Sequence, residues 1–276
     1  MKADAQQERP GHSVVALTIA GSDSGGGAGI QADIRTFAAF DVFPTCAITC
    51  LTAQNPAEVA GSLAVDPGFV ALQVETVCRA FPVAAVKTGM LYSAAIIEAV
   101  ADVLKGLGIS KLVIDPVMVA TSGARLLADD ALEVLRGKLI PMAEIITPNI
   151  PEAAVLCGHS IESHAAARDA AQEIGERFKT ACVVKGGHLP RAAKQPITDY
   201  LFDGSVLIEF SSDPVAALDT HGTGCVFSAA LAACRANGCS FSESVELART
   251  FVAEALATAR PVGKHVPMNL SSMTPR

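Results

Sequence analysis

The chain has no tryptophan and only two tyrosines, so its interior must be filled largely by aliphatic side chains. None of its eight cysteines, at positions 46, 50, 78, 157, 182, 225, 234 and 239, forms a CxxC pair. That removes the usual redox and zinc-ribbon spacings. Most lie in apolar runs, so reduced, mostly buried thiols of a cytoplasmic protein are expected rather than a disulfide framework. No run reaches the roughly 18 uncharged apolar residues that a membrane helix needs, and no membrane partner is expected. Residues 1–12 are polar and hold no apolar signal core. Basic residues are the scarcer charge: 21 Lys and Arg stand against 28 Asp and Glu, a net charge of −7. General nucleic-acid binding, which relies on clustered Lys and Arg, is therefore not expected. A phosphorylated small substrate stays open, because local N–H groups and metal ions can reverse the sign.

What is present is length and aliphatic bulk. The 276 residues are 50% hydrophobic. That is enough for one large α/β domain or two small ones. The stretch around which the chain is organised is Asp219-Thr220-His221-Gly222-Thr223-Gly224-Cys225, followed by the Ala-rich run 226–234. That run predicts a helix. Glycines before a helix start allow a sharp turn, and the first-turn amides with the helix dipole make an anion site. A helix that merely begins after a Gly-rich loop, with Thr as its cap, would leave the same trace.

Taken in order, 13–20 (SVVALTIA) reads as a buried strand, followed by the Gly-rich loop 21–29 and a helix to Phe40. The loop is neither a Walker A loop nor a Rossmann fingerprint. Its glycines around Asp23 favour a ligand loop over a plain turn. Strands are expected at 44–51, 84–87, 111–115, 144–147 and 181–185. A Ser93-capped helix should run to about Gly106, the stretch 148–152 should open a helix, and helices should follow over 161–178 and 241–260. A hairpin is expected over 197–211, turning at Asp203-Gly204. Gln54 would sit at a strand end and Glu152 in a first helical turn, where a surface or dipole role is equally open. Alternating strands and helices predict a mainly parallel central sheet with helices on both faces. A single domain over 13–260 is the simpler division, with 1–12 and 261–276 as tails.

Several chemical groups then fall on one sheet edge. Asp115 and Glu152 can hold a hard cation. Lys185 suits a phosphate, and the 222–225 turn supplies main-chain donors. Phosphoryl transfer needs such a set. One well-placed oxyanion donor is worth about 3–4 kcal/mol of barrier.

Seven segments now carry a family resemblance: LTIAGSDSGGGAGIQAD (17–33), TCLTAQNP (49–56), KTGM (87–90), DPVMVATSG (115–123), TPNIPEA (147–153), VVKGGH (183–188) and DTHGTGCVFSAA (219–230). The chain resembles the ribokinase-like superfamily and, within it, the hydroxymethylpyrimidine/phosphomethylpyrimidine kinases of thiamine biosynthesis. The resemblance spans about Val15 to Arg260. It implies ATP-dependent phosphorylation of 4-amino-5-hydroxymethyl-2-methylpyrimidine, first to the monophosphate and then to the diphosphate. It implies that Gln54 reads the pyrimidine edge, an amide offering both donor and acceptor. Gly21, Asp23, Ala28, Thr52, Met90 and Val117 would line the substrate pocket. Asn149 and Glu152 match an NxxE element that helps to hold Mg²⁺, with Asp115 also at the metal. Asp115, Asn149, Lys185 and Thr220 would serve the nucleotide, and Gly222, Thr223, Gly224 and Cys225 the transferred phosphoryl. Most ribokinase-like enzymes carry an Asp base where this chain has Cys225. A helix N-terminus lowers a thiol's pKa, so a partial thiolate is expected there, as base or as passive neighbour. A homodimer is also implied. The rival on the same scaffold is a pyridoxal/pyridoxine kinase, and from another class a non-catalytic nucleotide-binding regulator.

Overall fold

The structure, a computed structural model, describes residues 13–118, 129–190, 192, 195–215 and 221–270. Its strands are β1 (Val15–Asp23), β2 (Phe43–Asn55), β3 (Glu58–Ala64), β4 (Val83–Thr88), β5 (Leu112–Ile114), β6 (Ile145–Ile146), β7 (Ala181–Val184), β8 (Ile197–Phe202) and β9 (Leu207–Ser212). The α-helices among the described residues are α1 (Gly29–Ala39), α2 (Pro67–Ala80), α3 (Ala94–Gly106), α4 (Asp129–Val134), α5 (Ile150–Cys157), α6 (His164–Phe178), α7 (Thr223–Ala236) and α8 (Phe241–Ala257).

The strands form one sheet in the order β3-β2-β1-β4-β5-β6-β7-β8-β9. From β2 to β7 every pairing is parallel. The edge pairings β2–β3, β7–β8 and β8–β9 are antiparallel. Central strands bury both faces, so alternate residues enter opposite cores. Leu112 and Ile114 join one core and Val113 the other; Cys182 and Val184 oppose Ala181 and Val183 in the same way. The first core takes Val74 from α2, Ile97 and Leu104 from α3, Leu156 from α5 and Ile174 from α6. The second takes Phe37 from α1, Leu231 from α7 and Phe251 from α8. Burying each such side chain contributes about 1.5–3 kcal/mol. The expected parallel sheet with a helical layer on each face is thus what the chain builds.

Local signals placed the helices well. Ser93 caps α3, its oxygen accepting from the Ile96 amide. Ser240 and Glu243 form a reciprocal capping box on α8. In the β8–β9 turn, Asp203 accepts from the amides of Ser205 and Val206.

Three stretches differ from expectation. β2 continues to Asn55, and β3 with α2 fills 58–80, for which no element was foreseen; β3 is almost wholly exposed and so lacks the alternation that signals a half-buried strand. The segment after α8 is not simply a tail. Met268 and Leu270 are buried in the second core, and the Asn269 amide bonds to the Ala255 carbonyl at 3.0 Å. Four of the cysteines are buried and four half-buried, and all eight are free.

The sheet positions the site. Successive connections run from β1 outward to β2 and then back across it to β4, so the strand order reverses at β1. Crevices at such switch points, beyond the carboxyl ends of the strands, are where α/β sheets bind ligands.

Candidate active site

The Gly-rich loop leaves β1 and is shaped by one side chain. Asp23 is buried, and its oxygens accept from the amides of Gly25 (2.8 Å), Gly27 (3.1 Å) and Ala28 (2.9 Å). Burial opposes its ionisation, but the His221 contact and these amides outweigh it and hold the carboxyl below its usual range. Asp23 therefore stands as the anchor of the loop. Gly21 leaves no room for a side chain beneath Met90 and Cys50, and Ala28 is the extended residue that opens α1.

The turn before α7 packs onto this loop. Gly222 is its N-cap, left-handed at φ 83°, and the first bond of the helix ladder runs from the Val226 amide to the Gly222 carbonyl. The amides of Gly224 and Cys225 therefore lie outside that ladder, at the positive end of the helix dipole. A β-carbon on Gly222 would overlap the Gly27 carbonyl oxygen, so the two glycine turns meet backbone to backbone. His221 completes the seam. Its Nε2 lies 3.3 Å from Asp23 Oδ2 and 3.4 Å from Gln54 Nε2. Gln54, near the end of β2, has its Oε1 3.2 Å from the Thr52 hydroxyl, which also donates to the Ser22 carbonyl at 2.9 Å. A cleft lined by Gly25, Gly27, Pro56, His221 and, from the C-terminal segment, Val262 and His265 opens beside the seam.

On the other side of the α7 turn lies a charged group. A β-carbon on Gly224 would stand 3.3 Å from Lys185 Nζ and 3.9 Å from Asp115 Oδ2. Lys185, at the end of β7, donates to Asp115 Oδ1 at 3.1 Å, and Ser228 of α7 donates to Asp115 Oδ2 at 3.1 Å. Burial opposes charge on Asp115, yet Lys185 and Lys87 prevail and keep its carboxyl below the ordinary range. Asn149 and Glu152 form the capping box of α5: Asn149 Oδ1 accepts from the Glu152 amide and Glu152 Oε2 from the Asn149 amide, each at 2.9 Å. Burial lifts the Glu152 carboxyl to about 7, against the pull of Lys185 and with a further push from Asp115. Three buried carboxyls, Asp33, Asp115 and Glu152, share two lysines, Lys87 and Lys185, so the group is short of positive charge and an oxygen-seeking divalent cation fits beside Asp115 and Glu152.

Cys225 requires a correction. It was expected to carry a lowered pKa at the helix start. Burial instead pushes its thiol up to about 11, against the charge of Lys87 and a hydrogen bond from the Gly29 amide. Desolvation of the thiolate at this half-buried position outweighs the pull of Lys87 and of the helix start.

The chain's expected residues thus fall into two groups on either side of one helix start. Gly21, Asp23, Ala28, Thr52 and Gln54 lie on one side, with Met90 against Gly21. Asp115, Asn149, Glu152 and Lys185 lie on the other. Val117 lines a small cavity under the same edge with Thr88 and Leu91. Thr220 and residues 119–123 of the DPVMVATSG segment lie outside the described residues.

The sequence pattern of the phosphomethylpyrimidine kinases matches residues 23–269. The chain belongs to the phosphomethylpyrimidine kinase family. It is 44% identical to the hydroxymethylpyrimidine/phosphomethylpyrimidine kinase of Bacillus subtilis over 92% of this chain and 93% of that protein. Among solved structures, the phosphomethylpyrimidine kinase of Clostridium difficile superposes with a TM-score of 0.78 at 36% identity, covering 88% of this chain and 99% of the other. The ADP complex of Bacillus subtilis pyridoxal kinase superposes at 0.86 with 34% identity, covering 94% and 98%. The fold is shared by both kinds of kinase, so substrate preference must be read from side chains at the crevice.

For a member of this family, two features escaped the sequence reading. His221, to which no role was assigned, joins the β1 loop to the β2 end. Lys87 of the KTGM segment is fully buried and pairs with Asp33 of α1 at 2.8 and 3.0 Å, where Thr18 also donates at 2.6 Å. Burial disfavours charge on Lys87, but Asp33, Cys225 and Asp115 raise its pKa and keep it cationic. A lysine inside a strand of otherwise apolar residues was the available signal.

Proposed function

We propose that this kinase transfers the γ-phosphoryl of ATP to the hydroxymethyl group of 4-amino-5-hydroxymethyl-2-methylpyrimidine, and then to the resulting monophosphate, in thiamine biosynthesis. The observation that supports this most is the convergence of Gln54 and the Asp23 loop with Lys185 and Asp115 across the Gly222–Cys225 turn. Gln54 keeps one N–H and one lone pair beyond its contacts with His221 and Thr52, which matches a ring nitrogen beside an amino group. In each step the acceptor oxygen forms a bond to the γ-phosphorus and the bridging oxygen leaves with ADP; the alcohol of the first step gives up its proton, whereas the monophosphate of the second attacks as its anion. Main-chain donors at the α7 start take up charge on the phosphoryl oxygens. Lys185 pairs with the nucleotide phosphates. Glu152 and Asp115 are the residues that would hold Mg²⁺, which supplies charge neutralisation at those phosphates. With its thiol near 11, Cys225 is protonated in the ligand-free site at neutral pH. As proton acceptor it would need the substrate's arrival to change that balance.

We read the described chain from 13 to 270 as one kinase domain, ten residues beyond the expected 260, since one sheet runs through it and Met268 and Leu270 join its second core. A cytoplasmic location fits eight free cysteines, and no helix among the described residues is long and apolar enough to cross a membrane. A homodimer is supported by exposed apolar side chains on β2, β3 and α2, namely Phe43, Leu51, Leu63, Phe69 and Leu72. Light scattering on the purified chain reads the dimer directly.

The pyridoxal kinase reading is the second one, on the strength of the 0.86 superposition. Coupled ADP release separates them, run with the hydroxymethylpyrimidine, with pyridoxal and with neither. Release with the pyrimidine is expected. Signal with pyridoxal alone overturns the substrate, and no signal with either alcohol overturns the kinase reading in favour of a nucleotide-binding regulator.

A further inference from the structure

At the end of α5 opposite Glu152, three side chains of different chemistry converge. Cys157 closes the helix, Gly158 turns the chain in the left-handed region at φ 86°, and His159 follows. Glu173 reaches them from α6. One sulfur, nitrogen or oxygen atom from each lies within 4.8 Å of the other two. No residue of this group takes part in the phosphoryl-transfer site.

The arrangement is held from outside. Arg177 donates through Nη1 to the Leu156 carbonyl at 2.7 Å and pairs through Nη2 with Glu173 Oε1 at 3.3 Å. It thereby ties Glu173 to the last turn of α5 and leaves Oε2 turned toward His159, at 3.0 Å from Nε2. The imidazole itself carries a conflict. Nδ1 lies 3.2 Å from the Ser160 carbonyl oxygen, and Nε2 faces a carboxylate oxygen. Both ring nitrogens address acceptors, but a neutral imidazole has one N–H. If Nδ1–H serves the carbonyl, the Nε2 lone pair meets Glu173 Oε2, and a cation must lie between them. Either a proton or a metal ion resolves this. The half-exposed imidazole and carboxylate, 53% and 38% accessible, leave a way in for an ion.

We propose that Cys157, His159 and Glu173 form a Zn²⁺ site that staples α5 to α6. One thiolate, one imidazole and one carboxylate suit this borderline ion, with water completing a tetrahedron. The carbonyl on Nδ1 and the arginine on the second carboxylate oxygen are the outer partners that orient such ligands. The thiolate and carboxylate charges balance the ion. The thiol, which burial and Glu173 push up to about 11, gives up its proton to the metal on binding.

The test uses the full chain, stripped with chelator under reducing conditions and titrated with Co²⁺ and then with Zn²⁺. One equivalent of Co²⁺ per chain is expected to develop a sulfur-to-cobalt charge-transfer band and tetrahedral visible bands that Zn²⁺ displaces; Co²⁺ taken up by the oxygens of Glu152 and Asp115 adds no charge-transfer band. Cys157→Ser removes the charge-transfer band. His159→Ala and Glu173→Gln each weaken binding at least tenfold while basal turnover is unchanged. No band in the wild-type chain means that a proton alone joins His159 to Glu173, and the proposal falls. A band that survives unchanged in His159→Ala comes from another cysteine and overturns it equally.

Discussion

Replacing Gly222 by Ala tests the seam between the two glycine turns. Two effects add. The residue sits at φ 83°, where a β-carbon costs roughly 1–2 kcal/mol. The new methyl also overlaps the Gly27 carbonyl oxygen, which belongs to a loop tied down through Asp23. Relief needs the loops to part by on the order of 1 Å, and misplacement of that size costs about 100-fold in rate. Gly108→Ala is the control. Its φ is 65°, and nothing lies within 4 Å of the added carbon. It should share the backbone cost, lowering Tm by about 2–8 °C for a domain of this size, and leave kcat alone. Gly222→Ala should show at least that fall in Tm together with the loss of kcat, measured by coupled ADP release and thermal denaturation. Turnover within twofold of wild type would mean that the turn does not set the position of the reacting groups.

Other outcomes follow from the same geometry. Cys225→Ala should lower kcat far more than it weakens nucleotide binding, read by turnover and by calorimetry with ADP; equal turnover removes the thiol from the mechanism. Glu152 titrates at about 7 in the folded chain, above its usual value of 4.5. Folding therefore favours its protonated form, and the ligand-free protein should lose stability as pH rises from about 4.5 through 7. Glu152→Gln should flatten that part of the Tm–pH curve, and an unchanged slope would refute the assignment. Lys87→Met leaves Asp33 buried without its cation, a loss of about 3–5 kcal/mol. Denaturant titration should show it, and a loss below 1 kcal/mol would mean that the pair is not ionised.

Where the sequence was informative, the cause was local. Ser93 and the Asp203-Gly204 turn each announce a hydrogen bond between residues within a few positions, whereas the capping box of Asn149 and Glu152, a pair the resemblance tied to Mg²⁺, came from the structure. The buried strands show as β-branched runs because the sheet covers both of their faces. β3 did not show, because an exposed edge strand has no face to alternate against, and α2 fully buries only Val70 and Val74, too narrow a stripe to stand out. The state of Cys225 was hidden for another reason. Its surroundings come from β4 and α1, more than a hundred residues earlier, and only packing reveals that burial outweighs the helix dipole. His221 likewise acquires meaning only from what the fold sets beside it.

On the function proposed above, the floor under the transferred group is made of peptide N–H groups at the mouth of α7, and every amino acid except proline supplies one. Ordinary point substitutions there disturb shape but cannot delete the donors themselves. On the same proposal, drift toward a different alcohol is expected at the rim, through Gln54, Met90 or Val117, with the phosphoryl cradle carried along intact. A single scaffold can in this way pass between vitamin precursors without rebuilding its chemistry.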